Sequence, residues 1–345
     1  MGNRSAVTTP SAVTTPLAVP SRSEVQVVVP VGIDDPRRPS GGNTYDRRVL
    51  AGLPATGWPV RQHRATPESL GSLLATLPVG AVVLVDGLLA CRAPGALQAQ
   101  RHRLRVVVLL HQVLGTPDER AALKVATGVV TTSAWAARQV AHRLVRVALP
   151  GVDPAPLVAG SRSGARLLCV AAVLPAKGQD VLLEALEKVA DLDWQLDLVG
   201  SLERRPDLVA ELRGRAAASG LAERVRFRGP LVGRSLESSY AAADVLVLPT
   251  RQESYGMVVA EALARGLPVI ASDVGGVPEA LGPGRPGVLV PPEDPATLAH
   301  ALRLWLERPP LRASLRARAL VRRTTLTGWD ETSRRVADAL AEVAA

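Results

Sequence analysis

The sequence predicts an α/β protein built from two Rossmann-like domains in tandem. Short apolar runs typical of buried parallel strands alternate with helical patterns along most of the chain. A stretch rich in proline and glycine, residues 150–164, lacks periodicity and divides this alternation in two. At 345 residues the chain is long for one domain and sufficient for two. Two such domains would face each other across a cleft at the carboxyl ends of both sheets, where open parallel sheets bind ligands.

The N-terminal part is predicted to contain a tail and a first domain. The hexapeptide SAVTTP occurs twice, at residues 5–10 and 11–16, and such a repeat cannot bury a core, so residues 1–23 are expected to be a disordered tail. The first domain then covers residues 24–152. Its candidate strands are residues 25–31, 81–85, 105–110, 128–132 and 145–149, and its helical patterns include 43–53 and 132–143.

After the linker the alternation restarts in a second domain, residues 165–325. The runs ARLLCVA, WQLDLVG, RVRFRG, DVLVLP, PVIAS and GVLV are predicted strands. Helical patterns include residues 180–189, 296–306 and a basic stretch, 311–323. A closing segment, residues 326–345, carries a further helical pattern over 329–343.

Bulk composition excludes several classes of protein. The net charge is +9, but 38 arginines stand against three lysines, which indicates a compositional bias spread over the whole chain. With three tyrosines and one phenylalanine for base stacking, a nucleic-acid partner is disfavoured. No apolar run reaches the ~18 residues of a membrane span, and no secretory signal is visible. Two cysteines give neither a disulfide framework nor a metal pair. A cytoplasmic location is expected, with association at the inner face of a membrane left open as a minor alternative.

Three short motifs follow predicted strands. PSGGN, with Gly41 and Gly42, would let a phosphate approach a helix N-terminus, although a plain glycine turn with an asparagine cap is the stronger interpretation. His111 ends a buried strand, where it could donate to a sugar hydroxyl or be a structural histidine. Lys177 and Gly178 begin a helix, and a lysine there would suit a diphosphate. No GxGxxG fingerprint occurs, which argues against a nicotinamide dehydrogenase.

The most specific pattern is a pair of glutamates eight residues apart. Glu253 and Glu261 flank a loop-to-helix junction directly after VLVLP, and Gly256 and Met257 open the helix. Glu261 could accept from a ribose hydroxyl pair, while Glu253 lies in the loop. Two solvated glutamates at a helix start are the alternative. The acidic pair in DLD, at residues 191–193, is interpreted as a solvated turn.

The segment ESYGMVVAEALARGLPVIASDVGGVPE resembles the E-x7-E signature of family 4 retaining glycosyltransferases, which have the GT-B fold. The KG turn, the FRG strand end and GVLVPPEDPATLAHAL follow in that family's order. The resemblance implies retaining, metal-independent transfer from a nucleotide-sugar to a small-molecule, glycan or lipid-linked acceptor. It also implies that the segment 326–345 packs back on the N-terminal domain.

Site residues follow from the same resemblance. Lys177 and Gly42 would contact the donor diphosphate, and His111 the donor sugar. Gly41 and Gly178 are also expected to bind substrate, and Glu253, Lys177 and His111 are the expected catalytic residues. The loop and helix start would hold sugar hydroxyls and phosphate through Glu253, Ser254, Tyr255, Gly256 and Met257. Glu261 would bind the ribose, and the base would lie near Arg228 and Gly229.

One position departs from the family pattern. An arginine usually precedes the KG lysine, and Ala172 stands there instead, so one charge-assisted contact to the diphosphate is lost. Arg251 or Arg37 could replace it. The alternatives to a transferase are a catalytically weak nucleotide-sugar-binding relative and a sugar-nucleotide epimerase on the same fold.

Overall fold

The computed structural model describes residues 23–345. The predicted fold class is confirmed: two six-stranded parallel sheets are each flanked by helices on both faces. The tail predicted over residues 1–23 lies, apart from its last residue, outside the described residues. Among the described residues, no helix has both the length and the apolar content that a membrane span requires.

The N-terminal sheet has the strand order β2-β1-β3-β4-β5-β6. Its strands are β1 (Val25–Pro30), β2 (Val60–Ala65), β3 (Val82–Asp86), β4 (Arg105–Leu110), β5 (Gly128–Thr131) and β6 (Val145–Val147). The helices between them are α1 (Gly41–Gly52), α2 (Pro67–Thr76), α3 (Gly87–Arg92), α4 (Pro94–Gln100), α5 (Pro117–Val125) and α6 (Ala134–Gln139).

The C-terminal sheet has the order β12-β11-β10-β7-β8-β9. Its strands are β7 (Arg166–Val170), β8 (Gln195–Val199), β9 (Val225–Gly229), β10 (Val245–Leu248), β11 (Val269–Ser272) and β12 (Gly287–Val290). Its helices are α7 (Gln179–Glu187), α8 (Pro206–Ala218), α9 (Arg234–Ala242), α10 (Met257–Ala264), α11 (Val277–Leu281), α12 (Pro295–Glu307) and α13 (Pro309–Arg323).

Several predicted elements are longer than the observed ones, and one strand, β2, was not predicted. The helix expected over residues 132–143 is the shorter α6, because Ser133 caps its N-terminus by accepting from the amide of Ala136 at 2.9 Å and the chain turns extended at Val140. The strand expected over 145–149 ends at Val147. β2 escaped prediction because it is an edge strand, exposed along most of its length and so without an apolar run.

The last helix, α14 (Trp329–Ala344), packs on the N-terminal sheet rather than on its own neighbours in sequence. Its face of Val336, Leu340 and Val343 joins the core formed by β1, β3 and β4. It lies so close to α1 that a Cβ at Gly52 would be 2.1 Å from Oγ of Ser333. Residues 150–164 contain neither helix nor strand, so the two sheets are joined by this irregular stretch and by the return of α14.

Candidate active site

The two sheets each have one point where the strand order reverses, and the predicted site residues follow those points. In the N-terminal sheet β1 and β3 are neighbours, and in the C-terminal sheet β7 and β10 are neighbours. Ligands of open parallel sheets bind in the crevice that such a reversal leaves at the carboxyl ends of the strands. Gly41 and Gly42 follow β1, Lys177 follows β7 and Glu253 follows β10.

The Gly41–Gly42 turn begins α1 and touches both halves of the molecule. Ser40 caps the helix by accepting from the amide of Asn43 at 3.1 Å. A Cβ at Gly42 would lie 3.3 Å from Cδ2 of His111, and one at Gly41 would lie 3.2 Å from the sulfur of Met257. Glycine therefore brings this turn against a histidine of its own domain and against the start of α10 in the other domain.

His111 lies between two buried carboxyl groups. Its Nε2 is 2.7 Å from Oδ1 of Asp46, on α1, and 3.5 Å from Oδ2 of Asp86, at the end of β3. Burial lowers the pKa of His111, but the charge and hydrogen bond of Asp46 and the charge of Asp86 outweigh it and raise that pKa above 6.5. Burial, together with the charge of Asp46, raises the pKa of Asp86 to about 6. The cluster thus favours an imidazolium facing the Gly41–Gly42 turn.

The same three side chains are the candidate metal ligands among the described residues. The ligand atoms of Asp46, Asp86 and His111 lie within 4.8 Å of one another. The close Asp46–His111 contact is that of a carboxylate–imidazole hydrogen bond, and Asp86 also caps α3 by accepting from the amides of Leu88 and Leu89 at 2.8 and 3.1 Å. These contacts join the three side chains, while Oδ2 of Asp46 and Nδ1 of His111 are buried without a hydrogen-bond partner in the described part of the chain.

On the C-terminal side, Lys177 and Glu253 form an ion pair. The Nζ of Lys177 is 2.6 Å from Oε2 of Glu253, and 26% and 19% of the two side chains remain exposed. Lys177 ends a single 3-10 turn, Pro175–Lys177, and Gly178 follows it at φ +67. A Cβ on Gly178 would come within 2.0 Å of the carbonyl oxygen of Pro249, at the end of β10. That close approach is what brings the lysine of β7 to the glutamate of β10.

The start of α10 joins this ion pair to the N-terminal half. Gly256, at φ +96, caps α10 with no side chain, so the first amides of the helix have no capping partner. A Cβ on Gly256 would be 3.5 Å from Cγ of Glu253. Across the cleft, Oγ of Ser254 accepts from the amide of Val113 at 3.4 Å. Lys177, Glu253, Ser254, the α10 start, Gly41–Gly42 and His111 therefore form one continuous set of contacts.

Glu261, on α10, is half-buried and is held by a tyrosine. The hydroxyl of Tyr240 donates to Oε2 of Glu261 at 2.7 Å. Burial raises the pKa of Glu261, against this hydrogen bond and the charge of Arg265, which lower it. Arg265 also lies over the ring of Tyr240, 4.3 Å from its centroid. Tyr240 and Arg265 position Glu261, and neither was singled out from the sequence.

Three predicted residues stand apart from these contacts. The ring of Tyr255 is 4% exposed and belongs to the apolar core of the C-terminal domain, so only its backbone borders the site. Arg228 is exposed near the end of β9, the edge strand, and Gly229 follows it at φ +73. The carbonyl of Gly229 accepts from the amide of Gly200 at 2.9 Å.

Both arginines considered as replacements at the Ala172 position already have carboxylate partners. Arg251 holds Asp180 at 2.7 Å and Glu293 at 3.0 Å. Arg37 is exposed and pairs with Asp35 at 3.1 Å. Ala172 itself contributes its carbonyl, which accepts from the side-chain Nε2 of Gln179 at 3.0 Å.

A contact that the sequence did not predict ties the domains together. The carboxylate of Glu279, on α11, accepts from the amides of Ala134 at 2.9 Å and Trp135 at 3.2 Å, at the start of α6. Its neighbours Gly275 and Gly276 pack under the Glu253 loop, where the amide of Gly276 donates to the carbonyl of Glu253 at 3.0 Å. The segment GGVPE, part of the predicted signature, thus supports the loop and bridges the cleft.

Most of the C-terminal domain matches a family model. Residues 164–308 match the model of the family Glycosyl transferases group 1. A D-inositol 3-phosphate glycosyltransferase of Streptomyces avermitilis is 37% identical over 203 residues, covering 56% of this chain and 40% of that protein. D-inositol 3-phosphate glycosyltransferase 1 of Catenulispora acidiphila is 34% identical over 240 residues, covering 62% of this chain and 56% of that protein. The chain thus spans about half the length of these relatives.

Solved structures match nearly the whole chain. Sucrose-phosphate synthase from Thermosynechococcus elongatus superposes with a TM-score of 0.78 at 23% identity, covering 93% of this chain and 99% of that one. HepE of Anabaena, solved in complex with UDP-glucose, gives 0.74 at 20% identity, covering 92% and 99%. The predicted GT-B fold is confirmed by these superpositions.

Proposed function

We propose that this protein is a retaining, metal-independent glycosyltransferase that transfers a sugar from a nucleotide-sugar to an acceptor hydroxyl. The observation that carries the proposal is the Lys177–Glu253 ion pair, which lies at the strand reversal of the C-terminal sheet beside the uncapped start of α10. A lysine, a set of free helix amides and a carboxylate offer complementary groups for a diphosphate and for sugar hydroxyls. The match of residues 164–308 to glycosyl transferases group 1 supports the same assignment.

In this proposal donor binding exchanges the partners of the ion pair. The diphosphate forms an ion pair with Lys177, and the carboxylate of Glu253 then accepts hydrogen bonds from hydroxyls of the transferred sugar. The start of α10 and the Gly41–Gly42 turn border the same space, where their amides would add hydrogen bonds to the phosphates. Glu261, held by Tyr240, accepts from the ribose hydroxyls. No residue has to act as a covalent nucleophile.

The chemical step proposed is a front-face displacement. The bond between the anomeric carbon and the diphosphate oxygen breaks with its electron pair leaving on the phosphate, and the acceptor oxygen forms a new bond on the same face. The acceptor proton passes to the departing phosphate. Lys177 and the α10 amides stabilise the growing negative charge in place of a metal. The Nε2 of His111 is held by Asp46, so His111 would donate to the sugar through Nδ1, which has no hydrogen-bond partner within residues 23–345.

Support for the donor is stronger than support for the acceptor. The family match covers the C-terminal domain, which would bind the nucleotide-sugar, and HepE was solved with UDP-glucose. UDP-sugars are therefore the first donors to test. The relatives named D-inositol 3-phosphate glycosyltransferases make inositol phosphate a reasonable acceptor to include.

A thermal-shift screen followed by a transfer assay tests the proposal. UDP-, GDP-, ADP- and TDP-sugars well above their dissociation constants should raise the Tm of the wild type for at least one nucleotide. The shift should shrink in Lys177→Gln and persist in Lys188→Gln, which removes an exposed lysine of the same domain. No shift with any nucleotide-sugar would contradict the proposal. Transfer from a radiolabelled donor in the presence of EDTA then tests metal independence.

A catalytically weak nucleotide-sugar-binding protein is a second candidate function. The observation that favours it is the missing cation at Ala172. Arg251 pairs with Asp180 and Glu293, and Arg37 pairs with Asp35, so either arginine would have to leave its carboxylate partners to replace that cation. Donor binding without transfer or hydrolysis would select this candidate. If Ala172→Arg then produces measurable transfer, the missing cation is the reason.

A further inference from the structure

The positive charge of this protein is concentrated in one part of the chain, contrary to the even spread expected from its composition. Residues 87–152 contain nine arginines and lysines and two acids, Asp118 and Glu119, a net charge of +7 out of the +9 of the whole chain. Residues 153–345 contain 24 basic and 24 acidic residues. Within this range the C-terminal domain, residues 165–325, has 21 basic and 19 acidic residues, a net charge of +2, and α14 has a net charge of −2. Most of the surplus therefore belongs to the second half of the N-terminal domain.

Much of this surplus surrounds a cavity far from the proposed site. The cavity has a volume of about 860 Å³ and lies at the amino ends of β3, β4 and β5, bordered by the ends of α4 and α5. We call it the basic cavity. Its charged lining residues are Arg101, Arg103, Arg105, Lys124 and Arg143, with His102 beside them. The proposed site lies at the opposite, carboxyl ends of the strands, so the two places are separated by the length of the sheet, on the order of 15–20 Å.

No carboxylate neutralises the basic cavity. Its lining contains no acidic residue. Arg103 donates to the carbonyl of Leu77 at 2.9 Å, and Arg105 to the carbonyl of Val343 at 3.3 Å, both uncharged acceptors. Among residues 23–345, Lys124 and Arg143 have no side-chain hydrogen bond or ion pair.

Some arginines of the C-terminal domain have carboxylate partners. Arg215 pairs with Glu187 at 2.7 Å, and Arg303 with Asp191 at 2.7 Å. Others donate to carbonyl groups, as Arg312 and Arg323 of α13 do. The basic cavity differs in that five cations line one concave surface without a carboxylate among them.

The carboxyl ends of four helices offset part of this charge. Lys124 lies in the last turn of α5, and Arg101 caps the end of α4. Arg103 donates to the C-cap carbonyl of α2, at Leu77, and Arg105 to the last carbonyls of α14. A helix C-terminus carries roughly half a negative charge, so each helix end offsets less than the cation beside it. The basic cavity is therefore a concave surface with a surplus of positive charge, which attracts anions.

We propose that the basic cavity is a second ligand site, separate from the cleft, that binds a phosphate-bearing anion. Guanidinium groups match phosphate oxygens with paired hydrogen bonds, and Lys124 and Arg143 can turn toward a ligand without losing a partner. The volume lies within the range of small-molecule sites, about 300–1,000 Å³. The phosphate comes either from a soluble compound or from the headgroup of an anionic lipid, and both present the same chemistry to the cavity.

The three lysines of the chain allow a direct test by chemical footprinting. Lys124 reports on the basic cavity, Lys177 on the cleft and Lys188 on neither. Each amine of the full-length protein is acylated by a water-soluble ester, and its labelling is followed by mass spectrometry. The probes are inorganic pyrophosphate, phosphatidylglycerol vesicles and phosphatidylcholine vesicles. Pyrophosphate or phosphatidylglycerol should protect Lys124 and leave Lys188 reactive, and the protection should weaken as salt is raised.

Two variants that each remove one positive charge show whether the protection of Lys124 depends on the basic cavity or on the net charge of the protein. Arg143→Gln should weaken the apparent affinity measured at Lys124 by about fivefold, the effect of one cation near an anionic surface. Arg318→Gln removes an exposed arginine of α13 and should leave the affinity unchanged. Arg143 has no side-chain partner among residues 23–345, so its substitution leaves the fold intact.

Each outcome bears on the proposal. Protection by pyrophosphate identifies a soluble phosphate as sufficient, and protection by phosphatidylglycerol alone identifies a lipid headgroup. Equal reactivity of Lys124 with every probe overturns the proposal, as does equal protection by phosphatidylcholine or an equal loss in Arg318→Gln. Protection of Lys177 concerns only the cleft, so the proposed transferase function and the basic cavity succeed or fail separately.

Discussion

At the scale of single residues, Lys177 and Glu253 matter because they neutralise each other's charge before any ligand binds. The 2.6 Å ion pair keeps a partly buried cation and anion satisfied, since an unpaired charge there would be costly. Donor binding has to break this pair and give each group a new partner. The sequence predicted both residues but not their contact, because they are far apart in the chain and meet only through the packing of β7 beside β10.

Glu253→Gln should separate binding of the nucleotide from transfer of the sugar. The variant frees Lys177, so we expect UDP to bind several-fold more tightly, while transfer from a UDP-sugar falls by roughly 10²-fold as the sugar loses a charged acceptor. Calorimetry with UDP and initial-rate kinetics measure the two effects. Glu184→Gln, which removes the partner of Lys188 on the same domain, is the control and should change neither. A parallel loss of UDP affinity and transfer in Glu253→Gln would contradict the partner exchange.

Asp46→Asn should move the titration of His111. In the wild type the folded pKa of His111 is raised above 6.5 and that of Asp86 to about 6 from 3.8, so the folded protein holds protons that the unfolded chain releases. This contribution to stability is complete at low pH and is lost as pH rises through the folded pKa values. In Asp46→Asn burial remains without the main opposing charge, so the pKa of His111 should fall below 6.5 and the loss of stability above that pH should disappear.

The His111 titration is measured by NMR of the imidazole, and stability by urea unfolding at pH 5 to 8. Asp338→Asn, an exposed carboxylate of α14, is the matched control and should leave both curves unchanged. An unchanged His111 titration in Asp46→Asn would show that Asp46 does not set the charge of the imidazole.

At the scale of elements, apolar patterns predicted the buried strands but did not predict β2, which is exposed at the edge of its sheet. The strands of the C-terminal sheet lie where the sequence placed them. Its covered strands carry continuous apolar runs, as burial on both faces requires, whereas the edge strand β9 includes two exposed arginines. β2 carries a histidine, a glutamine and two arginines, and only its position at the sheet edge allows them. Helix ends were least predictable. For example, α6 ends at Gln139, although the helical pattern in the sequence continues to residue 143.

The loop below Glu253 gives an element-scale prediction based on Gly275. This residue has φ +57, and a Cβ there would lie 1.8 Å from the carbonyl oxygen of Glu253. Gly275→Ala should destabilise the protein by more than about 2 kcal/mol, because it adds a backbone clash to the strain of a positive φ, and it should weaken donor binding by moving Glu253. Gly284 also has a positive φ, +83, but a Cβ there would have no atom within 4 Å. Gly284→Ala therefore measures the backbone strain alone, which should destabilise the protein by about 1 kcal/mol. Equal urea midpoints for the two variants would show that the loop yields to the added methyl.

At the scale of the whole molecule, a site divided between two sheets depends on how the sheets are held together. Each half was predictable from motifs at strand ends, whereas the contacts between halves were not, because Gly41 meets Met257 and Val113 meets Ser254 only after both domains have folded. Glu279 is the strongest of these contacts. Its carboxylate takes the first free amides of α6, so a charge of the C-terminal domain caps a helix of the N-terminal domain.

Glu279→Ala should therefore shift the molecule toward a more open arrangement. Losing charge-assisted hydrogen bonds to two amides costs the closed form about 1–3 kcal/mol, because those amides then find only water. Small-angle scattering without ligand should give a larger radius of gyration for Glu279→Ala than for the wild type, and a saturating UDP-sugar should reduce the difference, since the donor would contact both halves. Glu223→Ala, an exposed glutamate remote from the cleft, should scatter as the wild type does. Superimposable curves for Glu279→Ala and wild type would mean that the remaining contacts of the cleft and the return of α14 hold the domains closed without this cap.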